Sequence, residues 1–193
     1  MLADIERIIS QHQDASEVLK KLSGRVKDIA LLCQKALKED KKIIFFGNGG
    51  SAADSQHLAA EFVGRFQKDR KPLAALALSV NSSTLTAVGN DFGFQEVFSR
   101  QISCLGKPGD IAFGISTSGN SPNVLTALQK AKKNQMHTVA LLGRNGGKIA
   151  SCVDLPLTIS VSQTPRIQEI HILAGHIICE LVEQTLVTRD DKE

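Results

Sequence analysis

The chain has 193 residues, 42% of them hydrophobic, a net charge of +3, four cysteines, no tryptophan and no tyrosine. That length and apolar share suffice for one compact domain with a full core, and no apolar run approaches the roughly 18 residues of a membrane helix. With only Phe left for base stacking, nucleic-acid binding is not expected, while a mild positive balance suits a small anionic substrate. The opening residues, Met1-Leu2-Ala3-Asp4-Ile5-Glu6-Arg7, are charged and carry no secretory h-region, so a cytoplasmic location is expected. Cys33, Cys104, Cys152 and Cys179 form neither a C-x-x-C pair nor a disulfide framework and read as buried, reduced thiols. Lys41-Lys42 and Lys130, Lys132, Lys133 read as solvated helix ends.

Residues 1 to about 23 place Ile5, Ile8, Ile9, Ala15, Val18, Leu19 and Leu22 at helical spacing. Residues 25–39 repeat the pattern with Val26, Ile29, Ala30, Leu32, Cys33 and Leu37. These two helices precede the first strand signal and are expected to cover the domain or to pack against another subunit. From residue 43 the rhythm becomes strand, loop, helix. Strand-like runs fall at 43–46, 73–78, 110–115, 137–142 and 154–160, and helical stretches near 51–66, 83–104, 121–134 and 165–187. The alternation predicts an α/β fold with parallel crossovers and a sheet covered on both faces. The tail Arg189-Asp190-Asp191-Lys192-Glu193 is expected to fray.

Two glycine- and serine-rich loops each follow a strand-like run and lead into a helix. The first is Gly47-Asn48-Gly49-Gly50-Ser51, the second Ser116-Thr117-Ser118-Gly119-Asn120-Ser121. In an open α/β sheet, ligands bind beyond the carboxyl ends of the strands at a switch in strand order. If the first and third strands are neighbours, both loops face one crevice. Four hydroxyls within six residues, a turn-forming Gly119 and Pro122 at a helix start make the second loop the phosphate candidate; Ser121 alone also reads as a simple N-cap. No lysine follows in the G-x-x-x-x-G-K-[ST] pattern, which disfavours a nucleoside triphosphate. The first loop lacks G-x-G-x-x-G, which weakens a dinucleotide site. Its Asn48 and Ser51 suit sugar hydroxyls, or the loop is a plain tight turn.

The helix after the first loop carries His57 and Glu61 on one face, with Asp54 a turn earlier. Such a pair is either a surface contact or, at a crevice, a metal or catalytic site. The last helix carries Arg166, Gln168, Glu169, His171 and His176. Gln168 and His176 are eight residues apart, about 12 Å along a helix, so they meet one ligand only by leaning together or by belonging to different subunits. Spacing leaves this helix open between core face and active site. Asn90-Asp91-Phe92-Gly93-Phe94 reads either as a turn with an Asp N-cap or as a polar pair lining the crevice.

Together these segments resemble the phosphoheptose isomerases over nearly the whole chain. The segments that carry the likeness are Phe46-Gly47-Asn48-Gly49-Gly50-Ser51, Gln56-His57 with Glu61, Gly89-Asn90-Asp91-Phe92-Gly93-Phe94, Gly114-Ile115-Ser116-Thr117-Ser118-Gly119-Asn120-Ser121 and Arg166-Ile167-Gln168-Glu169-Ile170-His171. The resemblance implies a single sugar-isomerase (SIS) domain over 1–193, with N-terminal helices at 1–40 and an α/β core at 41–188. It implies a three-layer α/β/α sandwich around a five-stranded parallel sheet, and a homotetramer with active sites at subunit contacts. The implied reaction interconverts sedoheptulose 7-phosphate and D-glycero-D-manno-heptose 7-phosphate through an enediol. That is the first step of ADP/GDP-heptose precursor synthesis for bacterial surface polysaccharide, usually lipopolysaccharide. Carried over by motif, Glu61 and His176 match the acid/base pair, and His57, Glu61, Gln168 and His176 match the ligands of one Zn²⁺ per subunit. Ser116, Thr117, Ser118 and Ser121 match the phosphate loop. Asn48, Gly49, Gly50, Ser51, Asn90 and Asp91 match positions around the sugar, which Glu61 and Gln168 also reach. Where some relatives carry an acid before Arg-Ile-Gln-Glu, this chain has Pro165. Relatives in this fold that bind the replication initiator lack the residues matching Glu61 and His176; this chain has both. The other rivals are a sugar-phosphate-sensing regulatory domain, although no helix-turn-helix segment accompanies it here, and an isomerase for a shorter sugar phosphate.

Overall fold

The apolar runs become strands because each is flanked by helices on both sides and has no face left for water. In the computed structural model, which describes residues 1–186, β1 (Ile43–Gly47), β3 (Ile111–Ser116) and nearly all of β4 (His137–Gly143) are buried residue after residue. With β2 (Ala75–Ala77) and β5 (Leu155–Ile159) they form one parallel sheet in the order β2-β1-β3-β4-β5. Side chains alternate between the faces as the pleat requires. Ile43, Phe45, Ile111, Phe113, Val139 and Leu141 enter one core; Ile44, Phe46, Ala112, Ala140 and Leu142 enter the other. The first core is closed by α1 (Leu2–Lys21), α2 (Ser23–Lys38), α3 (Gly50–Val63) and α8 (Thr164–Leu186). The second is closed by α4 (Ser82–Phe92), α5 (Ser99–Leu105), α6 (Pro122–Lys133) and the short α7 (Gly147–Ala150). The result is the expected three-layer sandwich, and the N-terminal helices belong to its α3/α8 layer.

The helical stretch near 83–104 is three pieces, broken where Asn90-Asp91-Phe92-Gly93-Phe94 offered a turn. α4 ends at Gly93, whose φ of 85° favours a residue without Cβ, and a 3₁₀ turn at Phe94–Glu96 precedes α5. The N-cap of α4 is Asn81, which accepts from the Thr84 N–H at 2.9 Å; Asp91 lies in the helix's last turn and makes no cap bond among the described residues. The second strand is shorter than 73–78. Pro165 sits in the first turn of α8, where the missing N–H costs nothing. The tail expected to fray, Arg189 to Glu193, and residue 187, expected to end the last helical stretch, lie outside the described residues. All four cysteines are free; Cys33 and Cys179 are buried as expected, but Cys104 is exposed. Lys42 is no solvated helix end, because its Nζ lies 2.5 Å from the buried carboxylate of Asp110. Among the described residues no helix is long and apolar enough to cross a membrane.

Candidate active site

β1 and β3 are hydrogen-bonded neighbours, with Gly47 opposite Ile115. The chain runs from β1 outward to β2 and then back past β1 to β3, so strand order reverses between them and the two loops meet at the switch point. Gly47 is needed here: a Cβ would come within 2.8 to 2.9 Å of Ser51 and of the Ile115 carbonyl. The loops are joined by a reciprocal amide pair. Asn48 Nδ2 donates to Asn123 Oδ1 at 2.9 Å, and Asn123 Nδ2 donates to Asn48 Oδ1 at 2.8 Å. A cavity of about 320 Å³ opens beside them, lined by Asn48, Phe94, Gln95, Ser121, Pro122 and Asn123.

The serine loop ends at the N-terminus of α6, where unpaired backbone N–H groups favour an anion. Ser121 occupies the N-cap position but makes no side-chain cap bond among the described residues. Its Oγ instead lies 2.9 Å from Ser116 Oγ. Ser121 therefore does not cap this turn as the simple N-cap reading requires; the Val124 N–H is taken instead by Asn123 Oδ1 at 3.0 Å, and Pro122 has no N–H. Ser118 Oγ accepts the Asn120 N–H at 3.1 Å. Gly119 (φ 65°) packs so closely on the next turn that a Cβ would overlap the Gly146 carbonyl. The Ile149 and Lys148 N–H groups bond Gly119 O and Asn120 Oδ1, each at 3.0 Å. The loop is thus braced from behind by the start of α7.

The second group of residues forms where α3 runs alongside α8. Gly175 lets the helices approach, since a Cβ there would strike Leu58 at 2.5 Å. His57 Nε2 and His176 Nε2 come within 2.9 Å, and His57 Nε2 lies 3.3 Å from Glu61 Oε1. One donor atom from each of the three lies within 4.8 Å of the others. Tetrahedral zinc with bonds of 2.0 to 2.1 Å needs ligand atoms roughly 3.3 Å apart, so this donor set fits such an ion. Burial, with His57 beside it, holds the His176 imidazole below its ordinary pKa against the opposite pull of Glu61. A neutral imidazole is what both metal ligation and base chemistry require. One turn earlier, burial pushes the Asp54 carboxyl up to about 6, against the lowering effect of His57, and its Oδ2 is buried without a partner among the described residues.

The α8 motif divides in three directions. Arg166 and Glu169 face α1: Arg166 Nη1 donates to the Ile8 carbonyl at 2.9 Å, and His12 Nδ1 lies 2.8 Å from Glu169. His171 is fully buried. Gln168 lies against Gly50, where a Cβ would overlap its Nε2. His176 therefore reaches His57 and Glu61 within one chain, while Gln168 stands two turns away at the first loop. Ser51 is buried under Gly47. Gly49, with a φ of 55°, turns the chain into α3. Thr117 is half-buried in its loop. Asn90 and Asp91 are exposed in the last turn of α4 and paired with each other at 2.8 Å. Sequence reasoning missed Asn123 and Gln95 as crevice residues. A polar side chain one position past Pro122 was the available signal for Asn123; Gln95 lay one residue beyond the Asn90–Phe94 segment and was taken with the helical stretch near 83–104.

Comparison with known proteins agrees with this architecture. The SIS domain family model matches residues 10–143. The chain is 50% identical over 186 residues to a phosphoheptose isomerase of Nitratiruptor sp., covering 96% of this chain and 100% of the relative. It is 46% identical over 190 residues to the phosphoheptose isomerase of Aquifex aeolicus, covering 98% and 100%. The structure of phosphoheptose isomerase from Neisseria gonorrhoeae superposes with a TM-score of 0.90 at 43% identity, over 95% of this chain and 100% of that one. A sheet whose switch point holds a serine loop, and relatives matched from end to end, place this chain among the SIS-domain proteins, in the phosphoheptose isomerase family of enzymes.

Proposed function

We propose that the enzyme converts sedoheptulose 7-phosphate to D-glycero-D-manno-heptose 7-phosphate, the first step toward ADP- or GDP-heptose for bacterial surface polysaccharide. The observation that carries this reading is the convergence of His57, Glu61 and His176 from two helices of one chain. The phosphate is held at the N-terminus of α6 by Ser116, Thr117, Ser118 and Ser121. Asn48, Gly49, Gly50, Ser51, Asn90 and Asp91 surround the sugar, and Gln168 reaches it from α8 beside the first loop. Isomerisation removes a proton from C1, protonates the C2 oxygen to give an enediol, then delivers a proton to C2 and frees the C1 oxygen as aldehyde. Glu61 and His176 supply these transfers. His57, Glu61 and His176 would hold Zn²⁺, with Gln168 of a neighbouring subunit as fourth ligand, and the ion when bound would polarise the carbonyl. The enzyme acts in the cytoplasm as a homotetramer, without nucleic acid or membrane. The exposed apolar residues of α1, Leu2, Ile5, Ile8 and Ile9, support the oligomer.

The test is turnover of sedoheptulose 7-phosphate by purified protein in D₂O, with added zinc and with chelator. Deuterium at C2 of the product is expected. Glu61→Gln and His176→Ala are each expected to lower kcat on the order of 10²- to 10⁴-fold without unfolding the chain. Near-parent turnover by either variant removes that residue from the acid/base pair. A folded parent protein inactive under every metal condition overturns the isomerase reading in favour of a binding protein.

A further inference from the structure

Behind Glu61 and His176 lies a buried ion pair with no place in the chemistry above. Arg70 and Glu183 have side chains only 3% and 2% exposed, with Nε and Oε1 3.1 Å apart. Glu183 also accepts the backbone N–H groups of Phe66, Gln67 and Lys68 at 2.9 to 3.1 Å. Arg70 Nη2 donates to the Glu61 carbonyl at 2.8 Å, and Nη1 to the Phe62 carbonyl at 2.8 Å. The guanidinium therefore closes the free carbonyl end of α3 at the residue bearing the proposed carboxylate. The carboxylate hangs the following loop from α8, two turns beyond His176. That loop carries Phe66, whose ring centroid lies 5.5 Å from that of His176. One pair thus touches the backbone of Glu61 on one side and fixes the ring against His176 on the other.

An apolar pair of the same volume would leave those backbone groups unpaired, so the pair has a structural role, and its placement against Glu61 and His176 gives it a second. We propose that Arg70 and Glu183 are positioning residues that set Glu61 and His176 in register across α3 and α8. The inference rests on the acid/base roles proposed for those two residues.

Two variants test it. Glu183→Gln keeps the volume but replaces one acceptor oxygen by an NH₂ donor that faces N–H donors. Phe66→Leu removes the ring yet keeps the N–H that Glu183 accepts. In folded Glu183→Gln, kcat is expected to fall on the order of 10²-fold while KM for sedoheptulose 7-phosphate stays within about threefold, since the serine loop stands on other elements. The His176 ring signal in a ¹H–¹³C spectrum, assigned with His176→Ala, is expected to move in both variants as the Phe66 ring shifts or is lost. The proposal is overturned if folded Glu183→Gln leaves that signal in place, keeps kcat within about twofold, or raises KM as much as it lowers kcat. If Glu183→Gln fails to fold, Phe66→Leu decides by the same readings, with a kcat loss of about tenfold expected. Glu61→Gln and His176→Ala run alongside. Near-parent activity in those two sinks the acid/base assignment, and the ring signal still decides the clamp.

Discussion

At the scale of single residues, two histidines five positions apart on α8 have opposite fates. His176 reaches the surface beside Glu61. His171 is fully buried, and neither ring nitrogen has a partner among the described residues. Burial drives its pKa down to about 4, the Leu142 backbone opposing this without reaching bonding geometry. An unfolded histidine titrates near 6.5, so between these values the unfolded chain binds the extra proton. The associated stability is fully present above pH 6.5 and is lost as pH falls toward 4, by about 3 kcal/mol. Urea unfolding at pH 7 and pH 4.5 is expected to show that loss in the parent and a smaller one in His171→Phe; equal losses would contradict the assignment. Side-chain type and helical position were legible for both histidines. Which one faces the sheet was not, because Gln168, Glu169, His171 and His176 cover several faces of the helix and no apolar stripe decides among them.

At the scale of elements, the site depends on helix ends and the turns behind them. In the serine loop the braced glycine is the sensitive point. Gly119→Ala adds a Cβ at φ 65° that overlaps the Gly146 carbonyl. The left-handed conformation alone costs about 1 kcal/mol, and displacement of the loop adds to it. KM for the sugar phosphate is expected to rise on the order of tenfold, with a smaller change in kcat; an unchanged KM would detach this loop from phosphate binding. The two loops, their strands and α3, α6 and α8 were all readable, since apolar runs ending in Gly/Ser clusters mark the carboxyl ends of parallel strands. The break at Gly93 was only half-read: Asn90–Phe94 offered a turn as one alternative, while the apolar spacing of Leu85 and Val88 continues into Val97 and Phe98 and left 83–104 a single helical stretch. Arg70 and Glu183 lay beyond local reading altogether. Each looks like an ordinary surface charge until the fold brings together residues 113 positions apart.

At the scale of the whole molecule, α1 and α2 close one core and still leave an apolar face outside. Leu2, Ile5, Ile8 and Ile9 are exposed on α1, and covering one such side chain is worth about 1.5 to 3 kcal/mol. The double variant Ile5→Asp/Ile9→Asp is expected to sediment as a smaller species than the parent; an unchanged mass would remove this face from the subunit contact. The sequence pattern announced the apolar positions, but which of them α8 would cover was settled only by docking of Ala15 and Leu19 into the core. The join across the sheet, the paired amides of Asn48 and Asn123, has a consequence for descent. Losing Asn48 leaves Nδ2 of the buried Asn123 without its acceptor, although Asn123 Oδ1 keeps the Val124 N–H; replacing both together is milder. A lineage drifting at one position is thus pressed to restore it or to change the other, and the two sites are expected to be inherited as a single character.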